Sequence, residues 1–195
     1  MKDYNLDRIL IPAFKLFVTY NYEKVSTSLL EQETGLTRGA IFYKLRTKED
    51  IFKAVVDKFI LALQSENIPV GNSLIDFIDR YVDRISVRMN KLIELNIDDS
   101  KGYFSLIYQA LQYYPGFGEK ITNIFFENQK RWEEIVRVAQ DSGEVKQSCD
   151  PKLAAQEFRY IYSGLSFERS LLSGLDVNEL RELYYSIYNK IRNEE

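Results

Sequence analysis

Apolar residues recur at helical spacing, three or four residues apart, along almost the whole chain, and this pattern constrains the fold more than any other feature. No alternation of apolar and polar residues of strand length stands out. Only four prolines and nine glycines interrupt the 195 residues. The sequence therefore predicts an all-α fold with about nine helices. The expected helices cover 6–20, 27–34, 38–45, 48–66, 74–95, 103–113, 118–142, 151–173 and 177–192.

Local capping signals mark where several of these helices begin. A Ser, Thr or Asp side chain just before a helix can accept a hydrogen bond from an N–H group of the first turn. Residues of this kind precede five of the predicted helices: Ser26, Thr37, Thr47, Asp150 and Asp176. The Pro that follows Asp150 supports the assignment, because proline is well suited to the first helical position.

Composition argues against several function classes. The chain has no histidine, which removes the commonest metal ligand and the commonest general base, and no catalytic cluster is visible, so we expect neither an enzyme nor a cofactor. Cys149 is the only cysteine, which excludes an internal disulfide and leaves a redox-sensing thiol as an alternative. No apolar run approaches the roughly 18 residues that a membrane span needs, and no signal peptide is seen. We expect a cytoplasmic protein that does not bind membranes.

Residues 26–45 have the pattern of a short helix, a tight turn and a second short helix. Gly35 stands where the first helix should end, at a position that favours a left-handed backbone. Leu36 and Thr37 complete a turn of about three residues, as in a helix-turn-helix. A generic pair of helices is the alternative.

The second helix of this pair has an unusual outer face. At about 100° per residue, Ile41 and Leu45 share the side that must face the core. Tyr43 points the other way, with Gly39 and Ala40 on either side of it. A glycine inside so short a helix costs up to about 1 kcal/mol relative to alanine. Close approach to another molecule, such as a DNA major groove, would explain that cost. The alternative is a surface helix with an incidental glycine.

A basic segment surrounds this helix. Residues 37–48 contain four basic side chains and no acidic one: Arg38, Lys44, Arg46 and Lys48. Lys48 is expected at the first position of the following helix, and a helix N-terminus and a lysine both attract phosphate. The alternative is an ordinary solvated face.

Residues 9–55 resemble the TetR-family DNA-binding domain. The shared pattern is an amphipathic helix, a turn with an aromatic residue, a Ser/Thr cap, a second turn, a short recognition helix with a Tyr, and a Lys. After the amphipathic helix, the first turn is Asn21–Tyr22 and the cap is Ser26. The second turn is residues 34–37, the recognition helix is residues 38–45, and the lysine is Lys48.

The chain departs from the family pattern at several positions. Asn21 replaces the glycine of the first turn, where we expect a left-handed backbone that asparagine tolerates. Glu31 and Thr34 stand where small alanines are usual, so the packing of the first two helices is expected to be looser or shifted. Phe42 replaces a tyrosine, and Lys44 stands where histidine is frequent.

The resemblance implies two sets of contacts with double-stranded operator DNA. Phosphates would be contacted by Ser26, Thr27, Thr37, Lys44 and Lys48. Base edges would face Ser28, Arg38, Gly39, Ala40 and Tyr43. It also implies a homodimer that binds a pseudo-palindromic operator and regulates transcription, as a repressor.

By the same resemblance, residues 1–47 form the DNA-binding domain, helix 48–66 links it, and residues 67–195 bind a ligand and dimerise. Aromatic residues are frequent in the second part, where core packing is the alternative to a site for a small lipophilic effector. Candidate effector residues are Tyr81, Tyr103, Tyr108, Phe126 and Tyr162. Candidate dimer-interface residues on the last two helices are Phe158, Ile161, Leu165, Leu183, Tyr184 and Ile187.

Two other classes of protein compete with a DNA-binding regulator. One is an enzyme or small-molecule carrier built on a helical bundle. The other is a helical small-molecule-binding or interaction protein that has kept the fold and lost specific DNA binding.

Overall fold

A computed structural model describes residues 6–65, 68–94, 100–172 and 174–194, and it confirms the all-α prediction. Within these residues the named elements are helical, apart from an isolated β-bridge between Val145 and Arg192. The α-helices are α1 Asp7–Thr19, α2 Thr27–Thr34, α3 Arg38–Lys44, α4 Lys48–Val56, α5 Leu74–Glu94, α6 Ser100–Tyr113, α7 Phe117–Asp141, α8 Pro151–Ser170 and α9 Val177–Ile191. A short 3₁₀ helix, Tyr22–Lys24, lies between α1 and α2.

The predicted capping residues begin their helices as expected. The Ser26 hydroxyl accepts from the N–H three residues on, at 3.1 Å. Thr47 and Asp50 form a capping box at the start of α4, with both hydrogen bonds at 3.0 Å. Asp150 and Asp176 each accept from two N–H groups in the first turns of α8 and α9. Each such cap contributes about 0.5–2 kcal/mol to helix stability, which explains why local sequence locates these starts well.

The helix predicted over 48–66 is interrupted by π-helical geometry. After α4 the chain forms a π-helical stretch, Asp57–Leu61, and then a final α-helical turn, Ala62–Gln64. The Asp57 carboxylate accepts a hydrogen bond from the Tyr114 hydroxyl at 2.8 Å. Such a stretch has i→i+5 hydrogen bonds, and the apolar pattern of the sequence does not reveal it.

The chain forms two compact units that divide it differently from the predicted domains. The first unit comprises Met1–Ser65 and Glu94–Ile121, and the second comprises Glu66–Ile93 and Thr122–Glu195. Helix α6 belongs to the first unit because it packs against α1 and α4. The assignment of separate roles to residues 1–47 and 67–195 stays a prediction.

Aromatic rings hold the first unit together. Phe14 stacks on Phe59 with ring centroids 4.2 Å apart, and Phe17 meets Phe52 edge-on at 5.0 Å. Tyr22 in the 3₁₀ helix meets Phe52 edge-on at 4.9 Å. Such pairs contribute about 0.5–1.5 kcal/mol each beyond the area they bury. They fix α1 against the helix that starts at Lys48, and they fix the 3₁₀ helix against both.

The core of the second unit is centred on Trp132 of α7. This ring stacks on Phe158 of α8 at 4.6 Å and meets Phe77 of α5 edge-on at 4.8 Å. Tyr184 of α9 lies 5.5 Å from the same indole. Four helices therefore contribute rings to one cluster.

Glu144 connects the loop after α7 to the start of α5 in the second unit. From the loop after α7, its carboxylate accepts from the N–H groups of Leu74 and Ile75 at 2.8 and 3.0 Å. The α5 N-terminus is therefore capped by a residue distant in sequence, which no local signal predicts. None of the described helices is long and apolar enough to cross a membrane.

Candidate nucleic-acid interface

The turn between α2 and α3 has the geometry that the sequence predicts. Gly35 is left-handed with φ of 63°, and its N–H donates to the Glu31 carbonyl at 3.0 Å. The Thr37 hydroxyl accepts from the Ala40 N–H at 3.4 Å and caps α3. Residues 27–44 therefore form two short helices joined by a tight turn.

Two departures from the family pattern stabilise this turn. The Thr34 hydroxyl donates to the Leu30 carbonyl at 2.6 Å and accepts from the Leu36 N–H at 3.2 Å. A Glu31 carboxylate oxygen accepts from the Arg38 N–H at 2.6 Å. A carboxylate at this position also interacts favourably with the α3 dipole. Glu31 and Thr34 therefore fix the turn and the start of α3.

Helix α3 buries one side and exposes the other. Ile41 is fully buried, while Tyr43 is 72% exposed and Gly39 and Ala40 lie at the surface. A Cβ atom built at Gly39 would meet nothing within 4 Å. Packing inside the chain therefore does not require this glycine, which is consistent with a requirement from outside.

The remaining candidate DNA contacts lie at or near the surface. Ser26, Ser28, Thr37, Arg38 and Lys44 are exposed, and Thr27 and Lys48 are half-buried. None of the ten candidate residues lies in the core.

Lys48 occupies the first position of α4, as predicted, but its side chain already has a partner. Its ammonium donates to the Tyr22 carbonyl at 3.0 Å and lies 4.2 Å from the centroid of the Tyr22 ring. An ammonium has three donors, so this bond leaves capacity for a phosphate. The contact ties the lysine to the 3₁₀ helix between α1 and α2.

The expectation of a left-handed Asn21 is wrong. Its φ and ψ are −61° and 147°, which is extended backbone. The backbone groups beside it are satisfied by Gln109 of α6. The Gln109 amide nitrogen donates to the Phe17 carbonyl at 3.3 Å, and its oxygen accepts from the Tyr22 N–H at 2.6 Å.

Sequence reasoning missed Gln109, although a signal existed. It lies in the apolar stripe of α6, one turn from Leu106, beside Ala110 and one turn before Tyr113. Both Leu106 and Ala110 are fully buried, and Gln109 is 7% exposed. A polar residue at such a position needs hydrogen-bond partners, which marks it as a candidate for a specific role.

Comparison with known proteins finds a match to the N-terminal segment of the chain. The model described as "Bacterial regulatory proteins, tetR family" matches residues 9–55. Residues 9–55 are therefore similar to the DNA-binding domain of the tetR family. An HTH-type transcriptional repressor from Mycobacterium tuberculosis is 42% identical over 48 residues, which cover 25% of this chain. The match spans about a quarter (26%) of that relative's length.

Solved structures share the fold of this chain over nearly its whole length. A TetR transcription regulator from Haloarcula marismortui has a TM-score of 0.68 at 14% identity, with 96% of this chain and 98% of that chain covered. SmeT, the repressor of a Stenotrophomonas maltophilia multidrug efflux pump, has a TM-score of 0.63 at 17% identity, with 98% and 92% covered.

The candidate effector residues are not all in one place. Tyr81 and Tyr162 lie together in the second unit, with ring centroids 6.1 Å apart. Tyr103 belongs to the first unit, where its hydroxyl donates to a carbonyl of the π-helical stretch at 3.3 Å. Tyr108 and Phe126 are 64% and 57% exposed. The structure therefore brings together two of the five.

The candidate dimer-interface residues also separate into two groups. Phe158, Tyr184 and Ile187 are 0%, 0% and 4% exposed. These three fill the core of the second unit, so their assignment to the interface is corrected. Ile161 and Leu165 pack partly against the same core, and Leu183 is 37% exposed. An apolar helix stripe shows that a face is covered and does not show by what.

Cys149 has the environment of a structural thiol. Burial, followed by the negative charges of Asp150 and Glu157, raises the pKa of its thiol above the usual value. The reactive thiolate is therefore disfavoured, which argues against the alternative of a redox sensor.

Proposed function

We propose that this chain is a DNA-binding transcriptional repressor of the TetR family that binds a pseudo-palindromic operator as a homodimer and responds to a small lipophilic effector. The outer face of α3 carries the proposal. Tyr43 stands on it between Gly39 and Ala40, and the chain's own packing explains neither the exposed aromatic ring nor the glycine. A face of this kind suits close approach to base edges in a major groove.

Two kinds of DNA contact follow from the positions of the side chains. Tyr43 lies opposite the buried Ile41, so its ring would face base edges and could pack on a thymine methyl group. Lys48 lies at a helix N-terminus, so it would hold a phosphate. The name of the Mycobacterium tuberculosis relative supports repression as the outcome of binding.

Separate alanine substitutions of Tyr43 and Lys48 distinguish base recognition from phosphate binding. Tyr43→Ala should weaken the preferred duplex by about 1–3 kcal/mol and reduce discrimination against a scrambled duplex. Lys48→Ala should weaken both duplexes about equally and reduce the salt slope by about one unit per subunit contact. Titration of both variants at several salt concentrations provides the measurement.

A uniform loss in Tyr43→Ala, or an unchanged salt slope in Lys48→Ala, would contradict the assignment of these roles. If the wild-type chain retards no duplex, the interaction protein without DNA binding becomes the better interpretation.

Exposed apolar residues on α8 support the homodimer. Leu153, Tyr160 and Phe167 are 57%, 62% and 47% exposed and follow one another at seven-residue spacing, so they share one face. Gly164 is exposed on the same side, and a Cβ built there meets nothing within 4 Å. Exposed apolar side chains that recur on one face, with a close-approach position among them, are typical of a surface that another helix covers. Leu183 of α9 adds a further exposed apolar side chain.

Charged residues on this face of α8 should produce monomers. The double change Tyr160→Glu and Phe167→Glu places two carboxylates in the proposed interface, where burial without partners is costly. Sedimentation should then show a monomer, and tight operator binding should be lost. Tyr108→Glu, which alters a similarly exposed ring in the first unit, is the control and should leave the dimer intact. A dimer that persists in the double variant excludes this face.

An unpartnered hydroxyl in the second unit supports an effector with a hydrogen-bond acceptor. The Tyr184 hydroxyl is buried and finds no hydrogen-bond partner in the described part of the chain. Buried donors without partners are rare, and an acceptor on a bound effector would satisfy this one. Arg88 donates to the nearby Tyr162 hydroxyl at 3.0 Å. Burial raises the pKa of Tyr81 to about 12, so this phenol also stays neutral and able to donate.

Trp132 is the only tryptophan of the chain, and its fluorescence can report on this site. Aromatic ketones or carboxylic acids should change the emission and weaken DNA binding more than hydrocarbons of matched shape. Tyr184→Phe should remove about 1 kcal/mol of that preference, because one donor is lost. Equal responses to acceptor-bearing compounds and hydrocarbons would count against an acceptor-binding site.

A further inference from the structure

Backbone groups at the end of α1 depend on a residue that lies outside the segment matched by the tetR family model. A helix leaves its last four carbonyls without intrahelical partners, and the Phe17 carbonyl is one of these in α1. The following 3₁₀ helix leaves the Tyr22 N–H in the same situation. Gln109 of α6 satisfies both groups, 92 and 87 residues away in sequence.

The Gln109 side chain is fully engaged and nearly buried. Its nitrogen donates to the Phe17 carbonyl at 3.3 Å and to the Ser105 hydroxyl at 3.2 Å, and its oxygen accepts from the Tyr22 N–H at 2.6 Å. With 7% of its surface exposed, it has little access to water as a substitute partner. Loss of this amide would leave buried backbone groups unsatisfied, which is the costly outcome for a hydrogen bond.

A second residue of α6, Tyr113, contacts the same 3₁₀ helix. The Tyr113 ring stacks on Tyr22 with centroids 4.5 Å apart, and its hydroxyl donates to the Glu23 carboxylate at 3.0 Å. Tyr22 is therefore held at its N–H by Gln109 and at its ring by Tyr113. Its carbonyl in turn accepts from the Lys48 ammonium.

We propose that Gln109 is a positioning residue for the DNA-contacting surface, acting through Tyr22 on Lys48. The inference rests on the proposed DNA-binding function and extends it to a residue that touches no DNA. Gln109 holds the turn between α1 and α2 in place of a left-handed residue at position 21. This turn fixes the Tyr22 carbonyl and the Tyr22 ring, which orient the Lys48 ammonium.

A double-mutant cycle on the full chain tests this route. Gln109→Met should weaken binding to a duplex selected from a random pool by about tenfold. Because the loss passes through Lys48, Gln109→Met should add little to Lys48→Ala and should add fully to Tyr43→Ala. Full additivity with Lys48→Ala would overturn the proposal.

Gln140 offers a matched control for the loss of hydrogen bonds alone. Its amide nitrogen donates to the carbonyls of Lys146 and Cys149 at 3.1 and 2.8 Å, within the second unit. Gln140→Met should lower stability to a similar extent and leave the DNA affinity of the folded protein unchanged. Equal effects of Gln109→Met and Gln140→Met on DNA affinity would reduce Gln109 to a structural residue.

Amide hydrogen exchange gives a result that does not require DNA. In Gln109→Met, the Tyr22 N–H should exchange faster while the core amides of the second unit keep their protection. Unchanged exchange at Tyr22 would overturn the proposal even if the affinity falls. If the wild-type chain binds no duplex, the proposed function fails, and this measurement still tests whether Gln109 holds the turn.

If Gln109→Met does not fold, Tyr113→Leu tests the same route at a half-buried position. This change removes the ring stacked on Tyr22 and should also be non-additive with Lys48→Ala. A folded Tyr113→Leu variant with wild-type affinity would contradict the role of α6 in placing Lys48.

Discussion

The packing of aromatic rings around Phe52 is the interaction on which the candidate DNA-binding surface depends. Phe17 and Tyr22 both meet this ring edge-on, at 5.0 and 4.9 Å, so α1, the 3₁₀ helix and α4 share one contact point. Lys48 starts the same helix that carries Phe52. These ring contacts act together with the Gln109 bonds and the Lys48–Tyr22 contact to hold the three elements against one another. The position of Lys48 therefore depends on an aromatic cluster as well as on polar partners.

Local chemistry explains what could be predicted from the sequence and what could not. Helix starts were predicted well because a Ser, Thr or Asp cap acts on N–H groups two or three residues away. The α1–α2 turn was predicted wrongly because its backbone groups are satisfied by Gln109, whose role depends on tertiary packing. Phe158 and Tyr184 were placed in a dimer interface because an amphipathic stripe looks the same whether it meets its own chain or another. The exposed apolar residues of α8 could not be told from the buried ones by sequence, because only the tertiary packing decides which of them the chain itself covers.

Within the helix-turn-helix, the departures from the family pattern are compensated locally. Glu31 and Thr34 take up hydrogen bonds with the turn and with the start of α3, so bulkier and more polar residues serve where alanine is usual. The exposed face of α3 keeps its small residues and its tyrosine. The internal bonds of the motif thus depart from the family pattern, while the proposed DNA-binding face of α3 keeps little side-chain bulk around the exposed Tyr43 ring.

Selection of duplexes from a random pool by the intact chain tests the central claim most directly, namely that α3 reads DNA as part of a two-fold dimer. Two-fold protein symmetry is mirrored in the DNA it binds. The account predicts enrichment of one sequence with two inverted half-sites. Enrichment of no sequence above the starting pool, or of a single half-site without symmetry, would contradict it.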